Sequence, residues 1–357
     1  MGERRCIVYV GMDLFPPYNE IQSKTVYMLI RNLPPDQPFR VLSFANPHVV
    51  MGPPPDERHV AVPGRGRASA ALGLTLTLLR ETWSRKIIVH FVMPARHQRF
   101  VAWLTWLCRL RGAPTIFTVA QRTSSALGFH NVNVVVLQTR SAYERMRELL
   151  PGKAVRLIVP GSAETLAPDG RKRGKTVLFV GVPWSDADLE KRGVFSFFDV
   201  VRETLRRDSE VRFTLLNRAL PQAARLDELA AEFPRANLTI HHGSFDRMSD
   251  WYGKHSVFLV LHRDDACPDP PLSAVEACCC GCAIVSTQFN GLAAELSEAT
   301  AGVEVDTTAE AIADGIFLVL ADEERFRGNA LTLGKARYDE QAFWREYEKV
   351  YAEAQES

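Results

Sequence analysis

Residues 264–296 read DDACPDPPLSAVEACCCGCAIVSTQFNGLAAELS, and the order of their parts decides the architecture. Asp269 suits a helix N-cap, and Pro270 the first helical position, where a missing N–H leaves no bond unmade. Gly281 suits the residue just past the helix, where left-handed backbone costs glycine little. Glu276 then falls inside a short apolar helix, among Leu272, Ala274, Val275, Ala277 and Cys278. A carboxylate so placed is expensive to bury unless a partner or a ligand hydroxyl meets it. The run at 282–285 (CAIV) reads as a buried parallel strand, and Asn290-Gly291 as a turn at its C-terminal end. Open α/β sheets bind ligands at that end of their strands.

The same alternation runs along the whole chain. Strands are expected at 6–10, 39–44, 86–91, 113–119, 132–137 and 155–159, with helices at 25–33, 67–83 and 141–150. A second set of strands is expected at 177–180, 212–216, 238–241, 257–261 and 283–285. Such β-α succession implies parallel sheets covered by helices on both faces. A chain of 357 residues exceeds one compact core and suits two domains. The polar stretch 162–175 (SAETLAPDGRKRGK) is the best linker, so domains are expected at 1–165 and 176–335, with a terminal helix in 336–357.

The stretch from Glu276-Ala277 through Gly281, the following strand and Asn290-Gly291-Leu292 resembles the nucleotide-sugar site of retaining GT-B glycosyltransferases. The resemblance extends over roughly 175–352. It includes KTVLFVG at 175–181, Lys191-Arg192-Gly193, NLTIHHG at 237–243, HSVFLVL at 255–261 and the aromatic closing segment at 338–351. It implies the GT-B architecture, in which two Rossmann-like domains face a central cleft and a C-terminal helix crosses back. It also implies transfer of a hexosyl group from a nucleotide diphosphate sugar with retained configuration, with no metal and no cofactor.

By the same resemblance Glu276 accepts the ribose hydroxyls, and Arg192 with Lys191 receives the departing diphosphate. Gly181, Arg218, Leu272, Ser273, Asn290, Gly291 and Leu292 complete the donor side. Asp269 stands seven before Glu276, where the family's acid stands eight before; Pro268 holds that place, with Asp264 and Asp265 as fallbacks. Asp269 therefore either bonds the donor sugar or only caps the helix. Acceptor contacts are expected from Asn19, Glu20, Lys24, His90, Gln121 and Arg122 in the first domain. The chain departs from the family in three places. No glycine pair follows the first strand, Val182-Pro183 replaces the arginine after Gly181, and the leading acid is displaced. A nucleotide-binding scaffold without transferase activity is thus the alternative, and an inverting transferase or an epimerase on the same fold is a third reading.

Composition narrows the partners. With 43 basic and 42 acidic residues, the net charge of +1 gives no global case for nucleic acid. The acceptor stays open between a saccharide, a lipid-linked molecule and a small molecule. No apolar run reaches the length of a spanning helix, and the first residues run straight into a strand, so a reducing cytoplasm is the expected compartment. Four of the seven cysteines cluster at 278–282 without a second ligand pair at zinc spacing, which makes them small apolar packing residues. Residues 95–111 (ARHQRFVAWLTWLCRLR) carry Trp103 and Trp106 between arginines. They read either as a buried helix whose arginines snorkel or as a peripheral membrane contact.

Overall fold

The computed structural model describes residues 4–16, 18, 20–44, 52–62, 67–84, 86–93, 98–120, 125–162, 173–183, 185–218, 220–245, 247–263, 269–289 and 291–356. The chain divides into two compact units, Met1–Gly161 with Glu340–Ser357, and Ser162–Asp339.

The first unit is a seven-stranded parallel sheet. Its strands are β1 (Cys6–Met12), β2 (Phe39–Phe44), β3 (His59–Ala61), β4 (Ile87–Met93), β5 (Thr115–Val119), β6 (Val134–Leu137) and β7 (Ala154–Leu157), in the order β3-β2-β1-β4-β5-β6-β7. Strands buried on both faces are apolar at nearly every position, which is why β4 reads IIVHFVM, with every residue buried and only His90 polar. Alternate residues of β1 serve opposite faces. Val8 and Val10 pack with Leu74 and Leu78 of α2 (Arg67–Ser84) and with Leu104 and Cys108 of α3 (Gln98–Leu110). Ile7 and Tyr9 pack with Leu29 of α1 (Ile21–Arg31) and Tyr347 of the terminal helix, Glu340–Glu356. Helix α4 (Arg140–Leu149) joins β6 to β7.

The second unit is a six-stranded parallel sheet. It contains β8 (Thr176–Gly181), β9 (Arg212–Asn217), β10 (Leu238–His242), β11 (Val257–Val260), β12 (Ala283–Thr287) and β13 (Gly302–Val305), in the order β10-β9-β8-β11-β12-β13. Its helices are α5 (Asp186–Lys191), α6 (Val194–Arg207), α7 (Ala223–Ala230), α8 (Met248–Tyr252), α9 (Leu272–Cys279), α10 (Ala293–Glu298), α11 (Ala309–Ala321) and α12 (Glu323–Arg337), so the terminal helix is α13. Strand order reverses direction between β1 and β4 in one sheet, and between β8 and β11 in the other. Each reversal opens a crevice at the C-terminal strand ends.

Two expectations change. Helix α9 starts at Leu272 with Pro271 as N-cap, three residues after Asp269. Pro270 precedes a second proline, and the residue before a proline is pushed out of the helical region. Arg173, expected in a solvated linker, instead buries its guanidinium against backbone. It donates to the carbonyls of Tyr252, His255, Cys280 and Gly281 at 2.8–3.1 Å.

Candidate active site

Helix α9 places Glu276. Past its last turn the Gly281 N–H donates to the Cys278 carbonyl at 2.9 Å and the Cys282 N–H to that of Ala277 at 2.9 Å. With Gly281 at φ +66° this is the Schellman stop that the sequence implied. A Cβ on Gly281 would sit 2.8 Å from Leu331. The surrounding cysteines pack the helix to the sheet. Cys278, Cys280 and Cys282 are fully buried, and burial pushes the thiols of Cys279 and Cys282 up to about 12.

Glu276 is only 4% exposed and accepts a hydrogen bond from the Tyr252 hydroxyl at 3.1 Å. Burial, then the Glu276 charge, drives the Tyr252 phenol well above its ordinary pKa, so it stays a donor. Arg218 stands near enough to pull that phenol the other way. Its backbone N–H bonds the Gly181 carbonyl at 3.1 Å, joining the ends of β8 and β9. Arg173 bonds the Tyr252 carbonyl and the C-terminal carbonyls of α9, and so holds donor and acceptor of the Tyr252–Glu276 pair in one frame.

One turn before Glu276, on the same helix face, Ser273 lines a pocket at the β8/β11 reversal. Arg192, His262, Val180, Leu261 and Pro271 share its wall. Arg192 is the C-cap of α5, and the following Gly193 opens α6 at φ +71°. A Cβ on Gly193 would lie 1.9 Å from the Leu261 carbonyl oxygen, so only glycine lets the Arg192 turn close on the end of β11. Beside Arg192, burial and then the arginine's charge lower the His262 imidazole to about 3. Its Nδ1 is buried without a hydrogen-bond partner among the described residues. Lys191, by contrast, is exposed.

Several expected donor contacts shift. Asp269, 3% exposed, accepts from the Gly291 N–H at 2.8 Å. It neither caps α9 nor shares a helix face with Glu276. The same bond engages the Gly291 amide that was to meet a phosphate or sugar oxygen, and Leu292 opens only the six-residue α10. Leu272 is buried in the first turn of α9. A Cβ on Gly181 would meet Pro183 at an ordinary 3.6 Å, so close packing does not demand glycine there. Asn290, Asp264, Asp265 and Pro268 lie outside the described residues.

On the acceptor side, Asn19, Gln121 and Arg122 also lie outside the described residues. Glu20 is the N-cap of α1, with Ser23 Oγ accepting from its N–H at 3.1 Å, and the Lys24 N–H bonds its carbonyl at 3.0 Å. His90 is corrected from an acceptor contact to a core residue. It is fully buried, with Nδ1 2.8 Å from Tyr351 Oη and Nε2 2.8 Å from Thr118 Oγ1. Thr118 in turn meets the Tyr347 hydroxyl at 2.8 Å, and Tyr351 meets that of Tyr9 at 3.2 Å. Sequence reasoning missed Tyr252 and His262. The second had a signal, a polar residue directly after the apolar run 257–261; the first had none.

In fold, the chain is similar to sucrose-phosphate synthase from Thermosynechococcus elongatus, with TM-score 0.73 and 15% identity over 98% of this chain and 99% of that one. It is similar to a glycosyltransferase from Rickettsia africae, with TM-score 0.71 and 12% identity over 99% of each chain. It is also similar to HepE of Anabaena in complex with UDP, with TM-score 0.72 and 11% identity over 97% and 99%. The fold is GT-B. Residues 174–322, the stretch that carries Arg192, Tyr252, His262 and Glu276, match the family described as "Glycosyl transferases group 1". No curated protein matches the chain by sequence.

Proposed function

We propose that this chain is a glycosyltransferase that moves a hexosyl group from a uridine- or guanosine-diphosphate sugar to an acceptor, with retained anomeric configuration and without a metal. The observation that carries the reading is the buried carboxylate of Glu276, one turn from a pocket walled by Arg192 at the strand reversal of a group 1 domain. A carboxylate has the acceptor geometry for a ribose diol. Arg192 supplies a cation fixed by the Gly193 turn, where a leaving diphosphate gains charge as the glycosidic bond breaks. In the retaining mode the departing phosphate takes the acceptor proton, so charge stabilisation at Arg192 replaces a protein base. HepE was solved with UDP and with UDP-glucose, which supports a nucleotide-sugar donor here.

A second reading is favoured by one observation. Asp269 is engaged by the Gly291 amide, so the acid nearest the family's leading position is held by the fold. A chain that binds the nucleotide and no longer transfers sugar would tolerate that. The two separate on one experiment: thermal shift with UDP, GDP and their sugars, followed by NMR of the donor with and without candidate acceptors. Stabilisation with donor turnover and an α-linked product from an α-linked donor supports the retaining transferase. Stabilisation without turnover supports the scaffold, and no response to any nucleotide removes both.

A further inference from the structure

Apart from Tyr27, Leu127 and Leu149, the most exposed large apolar side chains of the first unit gather on two neighbouring helices. On α2, Leu72 is 61% exposed, Leu76 58% and Trp83 76%; on α3, Trp103 is 48% exposed, Trp106 42% and Leu110 62%. Spacings of four and seven on α2, and of three and four on α3, put each set on one helical stripe. The two helices adjoin. Leu78, Leu79 and Thr82 of α2 line one small cavity with Leu107 and Cys108 of α3, and the Arg111 guanidinium lies over the Trp83 ring at 4.2 Å. Trp103 and Trp106 stack on each other at 5.1 Å in the open. The inward residues Val101, Leu104, Thr105 and Cys108 already fill the core, so the tryptophans are surplus to folding. Of the two readings of this stretch, the buried helix with snorkelling arginines accounts for one face of α3 and leaves the tryptophan face exposed.

Charge is as uneven as exposure. Residues 67–112 hold eight lysines and arginines against one acid, Glu81, and Glu81 is buried. The rest of the chain carries 35 basic against 41 acidic residues, so the excess is confined to this stretch. Arg80, Lys86, Arg99, Arg109 and Arg111 are all exposed around the apolar stripes. In the second unit the arginines of α6 lie beside acids, Arg202 with Asp199, Arg206 with Glu203 and Arg207 with Asp314.

We propose that the α2–α3 face is a docking surface for an anionic lipid bilayer, with the two tryptophans and the leucines at the headgroup boundary and the arginines on lipid phosphates. Tryptophan and cationic side chains on one amphipathic face are what an interfacial helix requires. A second copy of the chain fits less well, because pairing this face with itself opposes cation to cation. Nucleic acid would use the arginines but leaves Leu72, Leu76 and Leu110 without purpose. The helices lie on the surface; among the described residues no helix is long and apolar enough to cross a membrane.

The test is sedimentation of the full chain with vesicles of phosphatidylcholine alone, or mixed with phosphatidylglycerol, at low and high salt. Binding to the mixed vesicles is expected to exceed binding to neutral ones at least about tenfold, to weaken with salt, and to bring a blue shift in tryptophan emission. A Trp103→Ser, Trp106→Ser, Leu110→Ser variant, with folding checked by circular dichroism, should lose about tenfold or more of that binding. Reversing the exposed Arg206, Arg225 and Arg247 to glutamate should leave it unchanged. Equal sedimentation of the serine variant, or none at any lipid composition, overturns the proposal. So does preference for a single-stranded oligonucleotide, or a dimer that the serine variant dissolves.

Discussion

His90 and Glu276 are both buried titratable residues, one in a strand of the first sheet and one in a helix covering the second, and the difference between them bears on structure against chemistry. His90 sits in β4 under α13 and spends both ring nitrogens on hydroxyls that are themselves bonded onward, so nothing is left for a ligand. Glu276 sits in α9, accepts from the Tyr252 phenol, and lies on the face that leads to the Arg192 pocket. Burial alone does not mark a site. What marks it is a buried charged acceptor beside an opening with a cation in its wall.

If that distinction holds, the two sites fail in different ways when cut. Glu276→Ala should keep the fold and lose nucleotide. Two charge-assisted bonds to a ribose diol correspond to roughly 4 kcal/mol, or about a thousandfold in the dissociation constant by calorimetry. Unchanged affinity for UDP and GDP would dissolve the contrast. Arg192→Ala comes next, with a loss of about a hundredfold in donor turnover and a smaller loss in binding, since the cation acts mainly on developing charge. Equal losses in both would recast Arg192 as a binding group only.

His90→Phe should do the opposite, leaving nucleotide affinity intact while stability to urea falls by about 2–3 kcal/mol, because the Tyr351 and Thr118 hydroxyls each lose a buried partner. The imidazole also gives a pH signature. Burial holds it down at about 3 against an ordinary 6.5. Between those values the unfolded chain binds this proton and the folded chain does not. Stability from the site is therefore complete above pH 6.5 and drains away as the pH falls toward 3. His262 is lowered alike, so the part of the acid sensitivity that disappears in His90→Phe is the part that belongs to the sheet. An unaltered pH profile in that variant would place the sensitivity elsewhere.

The sheets were legible because a strand buried on both faces is rich in apolar residues, and all eleven expected strands overlap a strand of the two sheets. The misses have the same logic in reverse. β3 (HVA) and β13 (GVEV) are short edge strands without a long apolar run to announce them. The start of α9 was displaced because Pro270 looks like a first-turn proline until Pro271 is weighed with it. Asp269 could be read as a cap or a ligand, but its bond to Gly291 spans 22 residues and has no local trace. His90 was misread for that reason too, its partner Tyr351 being 261 residues away. The candidate site was legible as a succession of motifs; the pairings of its side chains were not.

Tyr252 gives the finest test of the comparison. Its hydroxyl donates to Glu276 over 24 residues, and Arg173 holds its backbone in place. In Tyr252→Phe the ring remains, the edge contact to Phe258 at 5.6 Å remains, and only the hydrogen bond goes. If the phenol merely satisfies a structural carboxylate, the variant should lose stability and keep its nucleotide affinity. If it orients a carboxylate that grips a ligand, UDP binding should weaken by about fivefold, the equivalent of one hydrogen bond near 1 kcal/mol. In that case saturating nucleotide should restore most of the lost thermal stability, because the bound ribose takes over the satisfaction of Glu276. A stability loss that ligand leaves untouched would put Glu276 in the same class as His90.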